Sequence, residues 1–282
     1  MNDIKQDNLI FKIFPSFTHP YIALMRLDRP IGFLLLFYPI SFSLVSQSNY
    51  DYELLKYFIL FFIGSVVMRS AGCVINDILD KKIDKKVKRT QSRPLASSKL
   101  TILKACVTLV ILLLIGLLIL INLNMPSIVL GFLIIPLVIL YPLAKRFFAL
   151  PQLILAMTYN WGCMIGWVAI SSPYNFNNIF ILYLSLVIWT IVYDTIYAVQ
   201  DEEEDRKMNL YSSALLFGSK KLLILNALIV NQYFLLIVFG YEMHYSIIFY
   251  VIVVLIFLLN LGDINFLWKN EAQNTHLSFK RN

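Results

Sequence analysis

Histidine and cysteine are scarce in this sequence, with three of each among 282 residues. Cys73, Cys106 and Cys163 form no CxxC pair and fall within apolar segments, which argues against disulfides and thiolate metal sites. The three histidines are too scattered to indicate a metal or catalytic cluster. Residues 1–20 lack the apolar core and small-residue cleavage site of a secretory signal, so we expect a cytoplasmic lead-in there.

Charged residues are also few, at 15% of the chain, whereas 59% of it is hydrophobic. This balance is typical of an integral membrane protein and excludes a soluble domain with a large core. The net charge of +7 does not indicate nucleic-acid binding, because most basic residues lie in loops between apolar runs. There they would set the membrane orientation and meet anionic headgroups or a phosphate-bearing substrate.

Eight apolar runs predict transmembrane helices in an all-α, polytopic membrane bundle that forms a single domain over residues 1–282. Basic residues are concentrated in alternate connections, as the positive-inside rule requires of an even number of helices with both termini cytoplasmic. The predicted spans are Phe33–Val45, Leu54–Val74, Ile102–Ile121, Ile128–Leu143, Leu150–Ile170, Ile179–Ala198, Leu222–Gly240 and Ile247–Leu261.

An acidic motif lies between the second and third apolar runs and is followed by a basic stretch. Its members are Asn76, Asp77, Asp80 and Asp84, and seven Lys and Arg follow from Lys81 to Arg93. At 3.6 residues per turn the spacing predicts that an amide and three carboxylates share one helix face. Such oxygen ligands suit Mg²⁺, and the cations beyond would neutralise phosphate oxygens. The alternative is an acidic helix end with a positive-inside loop behind it.

A second acidic motif, at the end of the sixth predicted span, contains Asp194, Tyr197, Asp201 and Asp205, again at helical spacing. Asp194 stands in apolar surroundings, and an ionisable group at membrane depth indicates function. The run of glutamates from 202 to 204 points around the other sides of the helix, where solvated surface is expected. Both motifs fall on the same predicted membrane face and could clamp a diphosphate leaving group through a pair of Mg²⁺ ions.

Three arginines leave alternatives open. Arg26 and Arg29 precede the first span and either reach the headgroups or face the diphosphate. Arg69 lies inside the second span, about two turns deeper than the first motif, and makes either a structural salt bridge or a substrate contact.

The sequence resembles the UbiA superfamily of intramembrane aromatic prenyltransferases in colinear order over nearly its whole length. The matching pieces are RLDRPIG at 26–32, RSAGCVINDILDKKID at 69–84, KRTQSRPLAS at 88–97, YPLAKR at 141–146, LPQLILAMTYNWG at 150–162, YDTIYAVQDEEED at 193–205 and SSALLFG at 212–218. The resemblance implies a helical bundle around a central cavity and Mg²⁺-dependent attack of an aromatic ring on a polyprenyl diphosphate. It favours 4-hydroxybenzoate as acceptor, in ubiquinone synthesis, with the site facing the cytoplasm of a bacterial inner membrane.

Carried over by resemblance, the metal ligands are Asn76, Asp77, Asp80, Asp84, Asp194, Asp201 and Asp205, and the catalytic residues among them are Asp80, Asp84, Asp194 and Asp201. Asp194, Asp84 or the released diphosphate would take the ring proton. The diphosphate would be bound by Arg89, Arg93, Lys145 and Arg146. Candidates for the acceptor's carboxylate are Arg29, Arg69, Lys145 and Arg146, which the sequence does not rank, while Tyr197 would orient a carboxylate or the substrate.

The chain departs from the family pattern in three places. Ser98 stands where the family usually has glycine, which bears on a turn, and Asn209 and Tyr211 stand where it commonly has Gly and Lys. The family has nine transmembrane helices and we count eight, so we expect either truncation after Asn282 or a dispensable last helix, with lower stability. The alternative functions are prenyl transfer to haem, homogentisate, dihydroxynaphthoate or a glycerol phosphate, an ion-coupled transporter, and a purely structural membrane protein.

Overall fold

The computed structural model describes residues 9–47, 52–87, 90–170 and 175–269, and every regular element in them is helical. The α-helices are α1 Leu9–Ile13, α2 His19–Leu24, α3 Ile31–Gln47, α4 Tyr52–Leu79, α5 Lys81–Asp84, α6 Ile102–Ile121, α7 Met125–Leu133, α8 Ile135–Leu140, α9 Pro151–Ile170, α10 Phe176–Ala198, α11 Glu202–Lys207, α12 Ser213–Phe217, α13 Lys221–Glu242 and α14 Ile247–Lys269. Short 3₁₀ segments lie at Ser16–Thr18, Tyr141–Arg146, Val199–Asp201 and Gly218–Lys220.

The predicted all-α membrane bundle is confirmed. Within the described ranges, seven helical stretches are long and apolar enough to cross a membrane, and the shorter apolar helix α3 occupies the first predicted span. The prediction for α6 matches residue for residue. The fourth predicted span is composite, because α7, α8 and the 3₁₀ segment Tyr141–Arg146 follow one another through prolines 136 and 142.

The large helices pack side by side in the spatial order α6, α4, α3, α9, α10, α13 and α14, and α7 lies against α9. Helix α10 is the most buried span, with 67% of its apolar window inside the protein, whereas α14 and the α7–α8 span are 11% buried. The outer helices therefore present apolar side chains to lipid, and the acidic end of α10 lies at the centre of the bundle.

Two glycines one helical turn apart permit the close contact between α3 and α9. A Cβ atom at Gly162 would lie 2.6 Å from Ile40, and one at Gly166 would lie 2.7 Å from the Ser43 hydroxyl. Small residues at this spacing let membrane helices approach closely and gain van der Waals contact.

The turn before α6 explains one departure from the family pattern. Ser98 is exposed and has a φ of 61°, in the left-handed region where glycine carries no steric cost. The departure is therefore a matter of backbone conformation, as the sequence predicted.

Candidate functional site

The first acidic motif begins on α4 and continues past the end of that helix. Helix α4 ends at Leu79, and Asp80 starts a turn. The backbone carbonyl of Asp80 accepts hydrogen bonds from the backbone N–H groups of both Ile83 and Asp84. The helix is therefore interrupted at Asp80, although Asp77 and Asp84 still contact the same arginine, Arg93. That the four side chains share one face stays a prediction. Aspartate is a weak helix former, in keeping with a break at that position.

Two arginines neutralise the buried carboxylate of Asp77. Arg26 Nη2 donates to Asp77 Oδ1 at 2.9 Å, and Arg93 Nη1 lies 3.4 Å from the same oxygen. Arg93 also bonds Asp84 Oδ2 at 3.1 Å, so it brings both ends of the motif together despite the helix break. The side chain of Asp77 is 2% exposed and that of Asp84 is 8% exposed. These charge-assisted bonds fix the positions of both arginines.

Arg26, for which the sequence left open a headgroup contact or a position facing the diphosphate, pairs with Asp77 of the first motif. Its φ of 57° is unusual for a residue with a side chain, and its guanidinium also donates to the Ala23 carbonyl. Backbone strain of this kind persists only where surrounding contacts hold it. The motif RLDRPIG contains this arginine, but its charge alone did not decide between a headgroup contact and a position facing the diphosphate, and its ion pair with Asp77 was not predicted.

The loop after α5 is anchored at both ends, which positions Arg93. The Thr90 hydroxyl donates to the Asp84 carbonyl at 3.2 Å, and Leu95 is buried in the core formed with α2, α4 and α6. Arg89, predicted to bind diphosphate, lies outside the described residues.

The 3₁₀ segment Tyr141–Arg146 lies between the two acidic motifs. Tyr141 is hydrogen-bonded to Asn76 of the first motif and interacts electrostatically with Asp194 of the second. Arg146 faces Asp80, and Lys145 Nζ lies 3.6 Å from Asp205. The segment therefore contacts both motifs, through Tyr141 and Lys145, and places Arg146 within electrostatic range of Asp80.

The second motif starts on α10 and passes through the 3₁₀ turn Val199–Asp201 before α11. The predicted continuous helix is therefore interrupted by a 3₁₀ turn, while Lys145 lies near both Asp194 and Asp205. That these carboxylates share one face stays a prediction. Asp194 and Asp201 are half-buried and Asp205 is buried, whereas Tyr197 is 38% exposed.

A buried glutamine that the sequence did not single out holds Asp194. Gln152 Oε1 accepts from the backbone N–H of Ser213 at 2.9 Å, and its amide group donates to the Asp194 carboxylate. The hydroxyls of Thr195 and Ser213 are 2.7 Å apart, which ties α10 to α12 beside the motif.

The acidic run after the second motif is only partly the solvated surface that was predicted. Glu203 is exposed, as expected. Glu202 is half-buried and pairs with Arg206 at 3.3 Å and with Lys221 at the start of α13, so for Glu202 the prediction is wrong. The side chain of Glu204 lies outside the described set.

Arg69 occupies an aromatic environment inside the bundle. Its guanidinium carbon lies 5.6 Å from the centre of the Tyr159 ring, with Tyr141 and Tyr193 as further electrostatic neighbours. Its Nε is buried without a hydrogen-bond partner among the described residues, and a Cβ at Gly32 would lie 2.9 Å from that atom. Arg29 is instead near the surface, 38% exposed and 3.5 Å from Asp28.

Asp80, just beyond the end of α4, is the carboxyl with the clearest electrostatic perturbation outside the membrane spans. Partial burial and the nearby charge of Asp84 raise its pKa, and Arg146 and Arg93 offset part of that increase. Proximity of like charges favours the protonated form of one carboxyl.

The predicted metal ligands of the two motifs have the chemistry that Mg²⁺ requires. All the predicted ligands are carboxylate or amide oxygens, which Mg²⁺ prefers, and Asn76, Asp80 and Asp201 are half-buried near the ends of α4 and α10. Within the described ranges, however, no group of three or more acidic, histidine or cysteine side chains is close enough to hold an ion. The residue types fit the metal, and the arginine and lysine side chains lie among them.

The sequence profile of the UbiA prenyltransferase family matches residues 34–282. The 4-hydroxybenzoate polyprenyltransferase, mitochondrial, of Drosophila pseudoobscura pseudoobscura is 46% identical over 218 residues, covering 76% of this chain and 54% of that protein. The 4-hydroxybenzoate octaprenyltransferase of Francisella tularensis subsp. novicida is 42% identical over 238 residues, covering 83% and 82%. This chain thus spans about half the length of the mitochondrial relative.

Solved structures share the fold. An apo UbiA homolog from Aeropyrum pernix K1 has a TM-score of 0.71 at 23% identity, covering 95% of both chains. A UbiA homolog from Archaeoglobus fulgidus bound to GPP and Mg²⁺ has a TM-score of 0.73 at 19% identity, covering 93% of both.

Proposed function

The chain belongs to the UbiA prenyltransferase family, and from that premise we propose that it transfers a polyprenyl group from polyprenyl diphosphate to 4-hydroxybenzoate. The new bond forms at the ring carbon ortho to the hydroxyl, a step of ubiquinone synthesis. The observation that carries the proposal is the basic segment Tyr141–Arg146, which contacts Asn76 of the first acidic motif and Asp205 of the second. The names of the relatives from Drosophila and Francisella support the choice of acceptor.

The acidic motifs would hold Mg²⁺ through Asn76, Asp80 and Asp84 on one side and Asp194, Asp201 and Asp205 on the other. The Archaeoglobus homolog bound to GPP and Mg²⁺ supports this cofactor. When bound, the metal would neutralise the negative charge that the departing diphosphate acquires. Asp77 was predicted as a further ligand, but its pairs with Arg26 and Arg93 favour a positioning role.

The cations of the site would bind the diphosphate oxygens. Arg93, Lys145 and Arg146 already lie beside carboxylates of the two motifs, so their donors are held near the place where a phosphate would be bound. Guanidinium groups bind phosphate through two parallel hydrogen bonds, which fixes its orientation. Arg89 belongs to the same proposed set by its position in the sequence.

Arg69 is the group we assign to the carboxylate of the acceptor. A buried cation whose Nε has no described hydrogen-bond partner needs an anionic partner to offset its desolvation. The surrounding tyrosines 141, 159 and 193 would pack against an aromatic ring, whereas the exposed Arg29 has no comparable enclosure. Tyr197 would act at the edge of the site.

The reaction breaks the bond between the prenyl C1 and a diphosphate oxygen, and the electron pair leaves with the diphosphate. A ring carbon next to the hydroxyl then forms the bond to C1, and the ring loses one proton. Asp194, held by Gln152, is the proposed acceptor of that proton, with Asp84 or the released diphosphate as alternatives. Lipid-facing helices would accommodate the long prenyl chain.

We also propose that the protein lies in a bacterial inner membrane and that its site faces the cytoplasm. The concentration of basic residues in alternate connections supports that orientation.

The decisive experiment incubates membranes containing the chain with Mg²⁺, a polyprenyl diphosphate and one acceptor at a time. The expected product has the mass of 4-hydroxybenzoate plus the prenyl group minus one hydrogen. Homogentisate and dihydroxynaphthoate serve as matched acceptors. If homogentisate or dihydroxynaphthoate were prenylated and 4-hydroxybenzoate were not, the proposed acceptor would be wrong, although the type of reaction would still hold.

A further inference from the structure

A cavity of about 460 Å³ lies apart from the acidic motifs, between the N-terminal segment and the loop that follows α5. Lys12 and His19 line one wall, and Ser92 and Lys99 line the other. None of the described residues that line the cavity is acidic. The cavity therefore combines two ammonium groups with hydroxyl donors, which is the chemistry of a phosphate site.

One wall of this cavity has an unmet hydrogen-bonding requirement. Ser92 Oγ is buried and has no hydrogen-bond partner among the described residues. Buried hydroxyls are almost always paired in folded proteins, so such an atom at a cavity wall indicates a ligand or water that it contacts. His19 is fixed in place, because its Nε2 lies 2.8 Å from the Phe14 carbonyl oxygen and its ring packs edge-on against Phe11.

The N-terminal wall carries large apolar side chains beside the cavity. Leu9, Ile13 and Phe17 are 71%, 69% and 75% exposed and belong to the same N-terminal segment as the cavity residues Phe11, Lys12 and Ser16. Apolar side chains next to lysines are typical of segments that lie in the membrane interface. A free phosphate would need the lysines but would make no use of these apolar neighbours.

We propose that this cavity binds the phosphate headgroup of an anionic phospholipid of the cytoplasmic leaflet. Lys12 and Lys99 contact the phosphate, Ser92 donates to it, and the apolar side chains of the N-terminal segment pack against the acyl chains. The site is separate from the proposed catalytic centre, but both use the same loop: Ser92 lines the cavity and the adjacent Arg93 pairs with Asp77 and Asp84.

The test measures lipid binding to the full chain by native mass spectrometry in nanodiscs, so it does not depend on activity. The wild type should retain phosphatidylglycerol in preference to phosphatidylcholine. The double variant Lys12→Gln/Lys99→Gln should weaken that preference by roughly thirtyfold, since each lysine near an anionic headgroup contributes to binding. The matched control is Lys104→Gln/Lys220→Gln, which removes two exposed lysines that do not line the cavity and should keep the preference.

Equal phosphatidylglycerol retention by all three proteins would overturn the proposal. A further arm adds inorganic phosphate at millimolar concentration to nanodiscs of the wild type. Displacement of the lipid by phosphate alone would assign the cavity to a free anion and overturn the lipid assignment, whereas undiminished lipid retention supports it.

Discussion

Arg26 Nη2 lies 2.9 Å from Asp77 Oδ1, although 51 residues separate the two in the chain. Their side chains are 13% and 2% exposed, so the pair joins the chain before α3 to the C-terminal end of α4 in a largely dry environment. Arg93 reaches the same carboxylate from the loop after α5. Asp77 thus connects three segments around the proposed diphosphate site.

Removal of Arg26 should destabilise the protein. Arg26→Ala removes the guanidinium that lies 2.9 Å from the buried Asp77 carboxylate, and we expect a loss of about 1–3 kcal/mol in unfolding free energy. Arg206→Ala is the matched control, because Arg206 is 73% exposed and its pair with Glu202 should contribute about 0–1 kcal/mol. Thermal unfolding in detergent measures both. Equal melting temperatures for the two variants would show that Arg26 is not a structural partner of Asp77.

Substitutions in the two acidic motifs should lower activity far more than substitutions of neighbouring surface acids. Asp80→Ala and Asp201→Ala are each expected to lower kcat by roughly a hundredfold or more, the size of effect seen when one electrostatic contact to a developing charge is removed. Glu203→Ala, on an exposed side chain of the same acidic run, should change kcat less than about twofold, as is usual for surface positions. Prenyl transfer from labelled diphosphate measures all three. Similar losses in each variant would contradict the proposed metal–diphosphate clamp.

Arg69 should determine the preference for an acceptor that carries a carboxylate. Arg69→Gln is expected to raise KM for 4-hydroxybenzoate by roughly tenfold to a hundredfold, the loss of one charge-assisted hydrogen bond. The same substitution should raise KM much less for the neutral analogue 4-hydroxybenzamide, because this analogue offers no anion to the guanidinium. A parallel loss for both acceptors would mean that Arg69 supports the fold rather than the carboxylate.

The raised pKa of Asp80 gives a stability prediction with a definite sign. A carboxyl whose pKa is higher in the folded protein binds its proton more tightly there, so its ionised form destabilises the fold at neutral pH. Without Mg²⁺, Asp80→Asn should therefore melt at a higher temperature than the wild type at pH 7.5. The difference should shrink as the pH falls toward ~4, where the wild-type carboxyl becomes protonated in both states. Glu203→Gln is the control and should show no such trend.

The α3–α9 contact should reject a single methyl group. Gly166→Ala puts a Cβ atom 2.7 Å from the Ser43 hydroxyl and 3.0 Å from an Ile40 methyl carbon, and overpacking of this kind costs about 1–3 kcal/mol. Gly262→Ala, on α14, meets no atom within 4 Å and should be neutral or slightly stabilising. Melting temperatures of the two variants in detergent test this. An unchanged melting temperature for Gly166→Ala would mean that α3 and α9 can move apart without a loss of stability.

The sequence by itself determined where the membrane helices run. Hydropathy is a sum over neighbouring residues, so the boundaries of α6 could be read directly, and α3, α4, α9, α10, α13 and α14 overlap their predicted spans. It also located the two acidic motifs and the basic pair Lys145 and Arg146, because ionisable groups next to long apolar runs stand out in composition.

The tertiary structure alone decided which of these charges meet. Three contacts join helices that are distant in the chain. They are the ion pair of Arg26 with Asp77, the hydrogen bond from Gln152 to Asp194, and the contacts of Tyr141 with both motifs. The helix breaks at Asp80 and at Val199–Asp201 were also not predicted by helical periodicity. Helical periodicity describes one axis at a time, whereas these contacts depend on how several axes pack and where each one ends.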